Sequence, residues 1–257
     1  MTSARRARPR ASPTLLAAAG LAIFLAIWQA APSLGLVNHA LLPAPSDLPA
    51  AFVREVRSGA WAHYVGLSLG HYLFGFAWGA SLGGAFGVFT GMYPPFEWSL
   101  AWVVRLLRPI PNLAWAPFAI IWFGVEQANA VFLVSIGVFW IVFFAAQGAI
   151  RSVDRDLIEV AEAFGYTSGR ERLFKVLLPA AAPGILVGLR TALGQAWMAV
   201  VAAELSGVSG LGSRMLQAAS LLATNIVVVY MLTMAALYGL MDVGFVLLQK
   251  RMLRWRA

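Results

Sequence analysis

Six long apolar stretches separated by short polar ones set the pattern of this chain, at about 14–34, 63–91, 98–124, 129–150, 181–204 and 225–248. Each is long enough for a helix to cross a bilayer core, which takes roughly 20 apolar residues. Backbone that faces lipid must pair its own amides, so the stretches are helices or barrel strands. A run such as AVFLVSIGVFWIVFFAA lacks the alternation that a barrel strand needs. The pattern predicts an all-α membrane protein with six transmembrane helices.

Between the fourth and fifth stretches the polarity changes abruptly. EVAEAFGYTSGRERLFKVLLP, residues 159–179, carries Glu159, Glu162, Arg170, Glu171, Arg172 and Lys175. Asp154 or Asp156 can start a helix whose Leu157, Ile158, Ala161 and Phe164 form one stripe, and Gly165 can supply the left-handed residue that ends it. After Tyr166-Thr167-Ser168-Gly169 a second helix gathers Leu173, Phe174 and Leu177 before Pro179 closes it. This hairpin, residues 154–179, is too short for a core of its own. Its apolar faces must fold back on the spans or meet another subunit.

The segment after the first span, LLPAPSDLPAAFVREVRSG, offers Ser46 and Asp47 as helix caps. Beyond them Leu48, Ala51, Phe52 and Val56 share one face, with Arg54, Glu55 and Arg57 elsewhere around it. The segment reads either as an amphipathic helix lying in the outer interface or as a plain connector.

Composition agrees with the pattern: of 257 residues 60% are hydrophobic and only 12% charged, far from a soluble domain. The formal charge of +8 raises nucleic acid as a partner, but the location of the charge excludes it. Arg5, Arg6, Arg8 and Arg10 precede the first span; Arg151, Arg155, Arg170, Arg172 and Lys175 follow the fourth; Lys250, Arg251, Arg254 and Arg256 follow the last. With an even number of crossings these clusters share one side, which the positive-inside rule makes the cytoplasm, so both termini are expected there. Only Arg54, Arg57 and Arg214 fall opposite. A cleaved signal peptide ending near QAAPS is the alternative for the first span, but it would leave an odd number of crossings. With no cysteine the chain has no disulfide, thiol nucleophile or cysteine-held metal, and no metal site is expected. It also lacks G-x-x-x-x-G-K-[ST], the loop that cradles nucleotide phosphates.

Glu159-Val160-Ala161, three residues, Gly165, and then Leu178-Pro179 resemble the EAA motif of the inner-membrane permease subunits of bacterial ABC importers. The interval from Gly165 to Leu178-Pro179 is slightly longer than that motif's usual pattern. Further likeness runs through LLPAPSDL, HYVGLSLGHYLFGFAWGASLGGAFGVFTGM, RLLRPIPNLAWAPFAIIWFG, PAAAPGILVGLRTALGQAW, SGLGSRMLQA and RMLRW, and is to the branch importing nitrate, sulfonate, taurine and bicarbonate. The resemblance implies a type I importer permease fold and a bacterial inner-membrane location. It also implies that Glu159, Ala161, Glu162, Gly165, Leu178 and Pro179 couple to a separate ATPase dimer that binds ATP and Mg. A second permease copy, usually identical, and an external solute-binding protein complete the implied assembly. The chain then divides into a basic N-terminus (1–13), the first span with its external segment (14–62), a permease core (63–250) and a basic C-terminus (251–257). The function implied is ATP-driven import of a small, anionic solute by a subunit that is not itself an enzyme.

Other features qualify that reading. Gly66, Gly70, Gly75, Gly79, Gly83, Gly84, Gly87 and Gly91 recur through the second span and predict close helix packing. Pro109, Pro111 and Pro117 must kink or break the third, either to shape packing or to line a pathway. Arg105, Arg108 and Arg190, with Asn112 and Trp115, are candidate pathway residues. A charge in a span costs about 2.5–3.5 kcal/mol on insertion scales, so Glu204 and Asp242 need partners too, and the arginines attract an anionic solute, snorkel, or pair with Glu204, Asp242 or helix-end carbonyls. Trp115, Trp122, Trp140 and Trp197 read as interface anchors or packing residues. Two rivals remain. Gly207-Val208-Ser209-Gly210 matches the G-x-S-G of rhomboid-type proteases, but only His39, His63 and His71 could serve as base, and none follows the serine. A secondary transporter would suit six spans, yet it has no need of a cytoplasmic docking hairpin.

Overall fold

The computed structural model of the chain describes residues 13–254. Arg5, Arg6, Arg8, Arg10, Trp255 and Arg256 lie outside the described residues. Within them every regular element is helical: α1 (Pro13–Ser33), α2 (Leu48–Arg57), α3 (Ala60–Met92), α4 (Pro94–Leu107), α5 (Ala116–Phe123), α6 (Gln127–Arg151), α7 (Arg155–Ala163), α8 (Gly169–Glu171), α9 (Leu178–Leu205), α10 (Leu211–Ser220) and α11 (Thr224–Met252). Short 3-10 turns precede α2 (Pro45–Asp47) and α5 (Asn112–Trp115).

Five helical rods are long and apolar enough to cross a bilayer: α1, α3, α6, the rod that contains α9, and α11. The third expected span, 98–124, is not one helix. Pro109 and Pro111 remove two backbone donors, and Pro111 itself is extended, so α4 ends at Leu107 and helix resumes only at Asn112.

At the centre α3 and α6 run in the same direction. A Cβ at Gly79 would stand 2.5 Å from the Ser135 carbonyl oxygen, and one at Gly83 2.5 Å from that of Phe139. Gly75, Gly87 and Gly91 likewise meet Val134, Phe143 and Ile150, so this stripe brings the two backbones together. Gly66 and Gly70 take no part, having open space where a side chain would go. The rod of α9 packs antiparallel to α6 through Gly184 against Ala149 and Gly188 against Ala145. Val134, Val138, Val142, Ala192, Ala196 and Val200 form the core with Tyr72 and Trp197. α1 leaves most of its apolar side chains exposed, as a lipid-facing helix does, and its Trp28 packs against Leu48, Ala51 and Val229.

Because α3 and α6 are parallel, residues 93–126 must carry the chain back from one end of the bundle to the other. They do so along α6: Arg151 pairs with Glu97, Arg108 lies over Phe144, Asn112 fills the space beside Gly137, and Asn129 donates to the Gly124 carbonyl. The return is made by α4, a break and α5. α7 and α8 stand at one end of the bundle, and α2 and α10 at the other.

α2 differs from its expected orientation. Its buried face is Leu48, Ala51 and Glu55, while Phe52 and Val56 are exposed. Neither Ser46 nor Asp47 caps it: the Asp47 carboxylate accepts from the Ala44 amide, and the Ser46 hydroxyl from Gln29. The helix packs on α11 and α3, held by its one buried carboxylate.

Candidate functional site

The hairpin is built by local rules. The Asp154 side chain accepts from the Asp156 amide and starts α7. Gly165, at φ 91°, ends it: the Gly165 and Tyr166 amides donate to the carbonyls of Glu162 and Ala161, each at 3.0 Å. Ser168 caps the second arm by accepting from the Glu171 amide. Arg172 reaches back to Glu162 at 2.9 Å and ties the arms together. Lys175 lies over the Tyr166 ring and hydrogen-bonds Glu171, which holds that carboxyl below its usual range.

Of the expected stripe, Ala161 is buried and Ile158 packs toward Leu177, Ala149 and Ile150, but Leu157 and Phe164 point outward. Phe164 is 79% exposed, and with Leu157, Val160 and Phe174 it leaves an apolar face uncovered. Glu159 is exposed and has no polar partner among the described residues. Leu157, Val160, Phe164, Val176 and Pro179 line an open cleft of about 640 Å³ between the arms.

Pro179 does not close the second arm. Gly169–Leu205 is one continuous rod, with a π-helical stretch over Arg172–Leu177 in which the Leu178 amide donates to Leu173, five residues back. A π turn takes in one residue more than an α turn. The long interval between Gly165 and Leu178-Pro179 is thus absorbed inside the helix, and the hairpin joins α9 without a loop. Pro179 sits in the first turn of α9, and Leu178 packs beside Leu177 and Ala181.

The broken return carries Arg105, Arg108, Pro109, Pro111, Asn112 and Trp115 in a column whose Arg108 and Asn112 meet α6. Arg108 lies 4.4 Å from the Phe144 ring centre and Arg105 5.2 Å from that of Trp102; both are exposed, and neither has a carboxylate partner among the described residues. The Asn112 amide occupies the space that Gly137 leaves open, so the break is seated on α6 by a missing side chain. Trp115 is half-buried. Pro117 falls in the first turn of α5, where its missing N–H costs nothing. Arg190 is not brought to this column. It makes a forked pair with Asp242 of α11 at 2.7 and 2.8 Å.

At the opposite end Glu204 is completely buried and accepts from the Ser68 hydroxyl at 2.5 Å and the Gly212 amide at 2.8 Å, with His71 Nδ1 at 2.9 Å. His71 Nδ1 is thereby engaged by Glu204, and among the described residues Ser209 makes no side-chain hydrogen bond. Sequence reading marked Glu204 as a charge in need of a partner. Nothing in the spacing of Ser68, His71 and Gly212 shows that they supply it.

Residues 79–254 match the family described as binding-protein-dependent transport system inner membrane component. The chain is 35% identical over 236 residues to a protein named as an aliphatic sulfonates transport permease, SsuC, in Bacillus subtilis, covering 91% of this chain and 85% of that one. It is 30% identical over 259 residues to the taurine transport system permease protein TauC of Escherichia coli, covering 97% and 92%. With the bicarbonate transport system permease protein CmpB of a Synechocystis strain it shares 31% over 206 residues, covering 75% and 72%. Its fold is similar to a chain of the MetNI methionine ABC transporter in inward-facing conformations, with a TM-score of 0.66 and 19% identity over 75% of this chain and 95% of that one.

Proposed function

The chain belongs to the family of binding-protein-dependent transport system inner membrane components, and from that premise we propose that it carries a small anionic solute, of the sulfonate, taurine, bicarbonate, nitrate or aromatic carboxylate type. It is a multi-pass permease subunit of an ATP-driven importer, non-catalytic itself, and it works with a separate ATPase and a solute-binding protein. The relatives' named cargoes support the choice of solute, since each is a small anion or zwitterion. In this reading the ATPase dimer holds ATP and Mg, two identical permease copies form the pathway, and both termini and the hairpin are cytoplasmic.

One observation carries the coupling role: the hairpin ends the bundle in an apolar face, Leu157, Val160, Phe164 and Phe174, with an unpaired Glu159 beside it. A surface so apolar outside the spans suits a protein partner better than water. Glu159, Ala161, Glu162 and Gly165 shape that face, while Leu178 and Pro179 pass its motion into α9 through the π turn. As the paired ATPases close and open, the rods switch access from one side of the membrane to the other.

Replacing Glu159 by Ala, or Gly165 by Val, should leave the protein inserted. ATPase recovered on co-purification should fall at least about fivefold, the scale of losing roughly 1 kcal/mol at an interface. Full recovery with normal uptake in both variants would remove the hairpin from the coupling role.

A further inference from the structure

Glu204 raises a question that the pathway and the hairpin leave unanswered: why a carboxylate is buried completely where apolar packing would serve. Its acceptors tie two other segments to the end of α9. Ser68 and His71 reach it from α3, Gly212 from the start of α10, and Glu204 itself ends α9. Ser68 also accepts from the Leu211 amide at 2.8 Å. Two of the amides left free at the start of α10 are thus satisfied by side chains from other helices. The glycines around it follow from the same contact. The Glu204 carboxyl group fills the space a Cβ would take at Gly210, and a Cβ at Gly212 would stand 2.9 Å from that of Glu204. The run Ser209-Gly210-Leu211-Gly212 is glycine-rich because a carboxylate presses against it.

The clamped loop leads to the broken return. Val208, 1% exposed, is buried with Ala116, Ala119, Ala130, Leu133 and Ala203, and so plugs the contact between α5 and α6. Gly207 approaches Val125 in the α5–α6 connection, where a Cβ would lie at 3.1 Å. We propose that Glu204 is a positioning residue for transport: its carboxylate clips the start of α10 to α3, and the loop so held seats Val208 against α5. The far half of the broken return then stays registered with the bundle through this loop.

A carboxylate suits this task because it accepts on both oxygens. Glutamine in its place would turn an NH₂ group toward either the Gly212 amide or the donors from α3, setting donor against donor.

The inference rests on the permease reading, so its test includes a readout independent of transport. The chain has no cysteine, so Val208→Cys gives a single thiol of nearly unchanged size, protected while the loop is seated. In the assembled complex in membranes, adding Glu204→Gln should raise its labelling by a maleimide about tenfold, the scale of losing a charge-assisted hydrogen bond. Uptake per assembled complex should fall in Glu204→Gln, while ATPase recovery by the hairpin is kept. Ser68→Ala, which removes one donor and leaves the charge, should give the same pattern more weakly and serves if Glu204→Gln fails to assemble. Unchanged protection of the thiol in both backgrounds would overturn the clip, whatever the transport rate. A freed loop with full uptake would show that it does not position the return for transport.

Discussion

A single side chain sets how α2 sits on the bundle. Glu55, 5% exposed, takes a forked contact from Arg214 at 2.7 and 3.2 Å and the Tyr230 hydroxyl at 2.7 Å. Burial pushes its carboxyl up, but the bonds from Arg214 and Tyr230 outweigh that and hold it below its ordinary 4.5. Because the docked value is the lower one, the clamp's contribution is complete above pH 4.5 and is lost as pH falls through the docked value. Hydrogen exchange of residues 48–57 should therefore quicken as pH drops below 4.5, after correction for intrinsic rates. Glu55→Gln should exchange quickly already at neutral pH, by about 1.5–3 kcal/mol of local opening, with little further change in acid. Equal acid sensitivity in Glu55→Gln would place the cause elsewhere. This contact was invisible in the sequence for a simple reason. Helical spacing shows that Glu55 lies off the Phe52–Val56 face, but not that Arg214, far along the chain, waits on the other side.

Among whole elements, those defined by local chemistry were legible and those defined by partners were not. Asp154 as cap, Gly165 as terminator and the proline break each follow from a residue's own backbone preferences, and each stands where the sequence puts it. Pro179 misled because its effect was judged without its surroundings: a π turn and a place in the first turn of α9 let the rod pass straight through it. The glycine stripe announced close packing, yet not that α6 would be the partner or that it would run parallel. The same division separates the arginines. Arg190 spends its guanidinium fork on Asp242, whereas Arg105 and Arg108 lie over aromatic rings and have no carboxylate partner among the described residues. With two copies, such charges near a low-dielectric path would favour an anion over a cation. Arg105→Gln or Arg108→Gln should lower anion uptake per assembled complex and spare basal ATP hydrolysis. Replacing Arg190 and Asp242 together by Gln and Asn should leave uptake near normal. Full uptake in the Arg105/Arg108 double variant would reject a role in attracting solute.

For the molecule as a whole, the parallel course of α3 and α6 bears on the number of passages as much as hydropathy does. Five rods alone would put the start of α1 and the end of α11 on opposite sides, so the basic residues before α1 could not share a side with those after α6 and after α11. The return through α4 and α5 removes that conflict: Glu97 is level with Arg151, while Gly124 meets Asn129 at the other end. Glu126 therefore stands at the α10 end and Thr167 at the hairpin end, both exposed. The proposed orientation follows the positive-inside rule, with the hairpin end and its Arg151, Arg155, Arg170, Arg172 and Lys175 in the cytoplasm. Single cysteines can read this directly in a chain that has none of its own. Glu126→Cys should react with a membrane-impermeant maleimide added outside spheroplasts, and Thr167→Cys only once the membrane is opened. Labelling of both from the same side would show that residues 93–126 do not cross. The reverse pattern would keep the crossing but turn the molecule over, placing the hairpin where no ATPase could reach it.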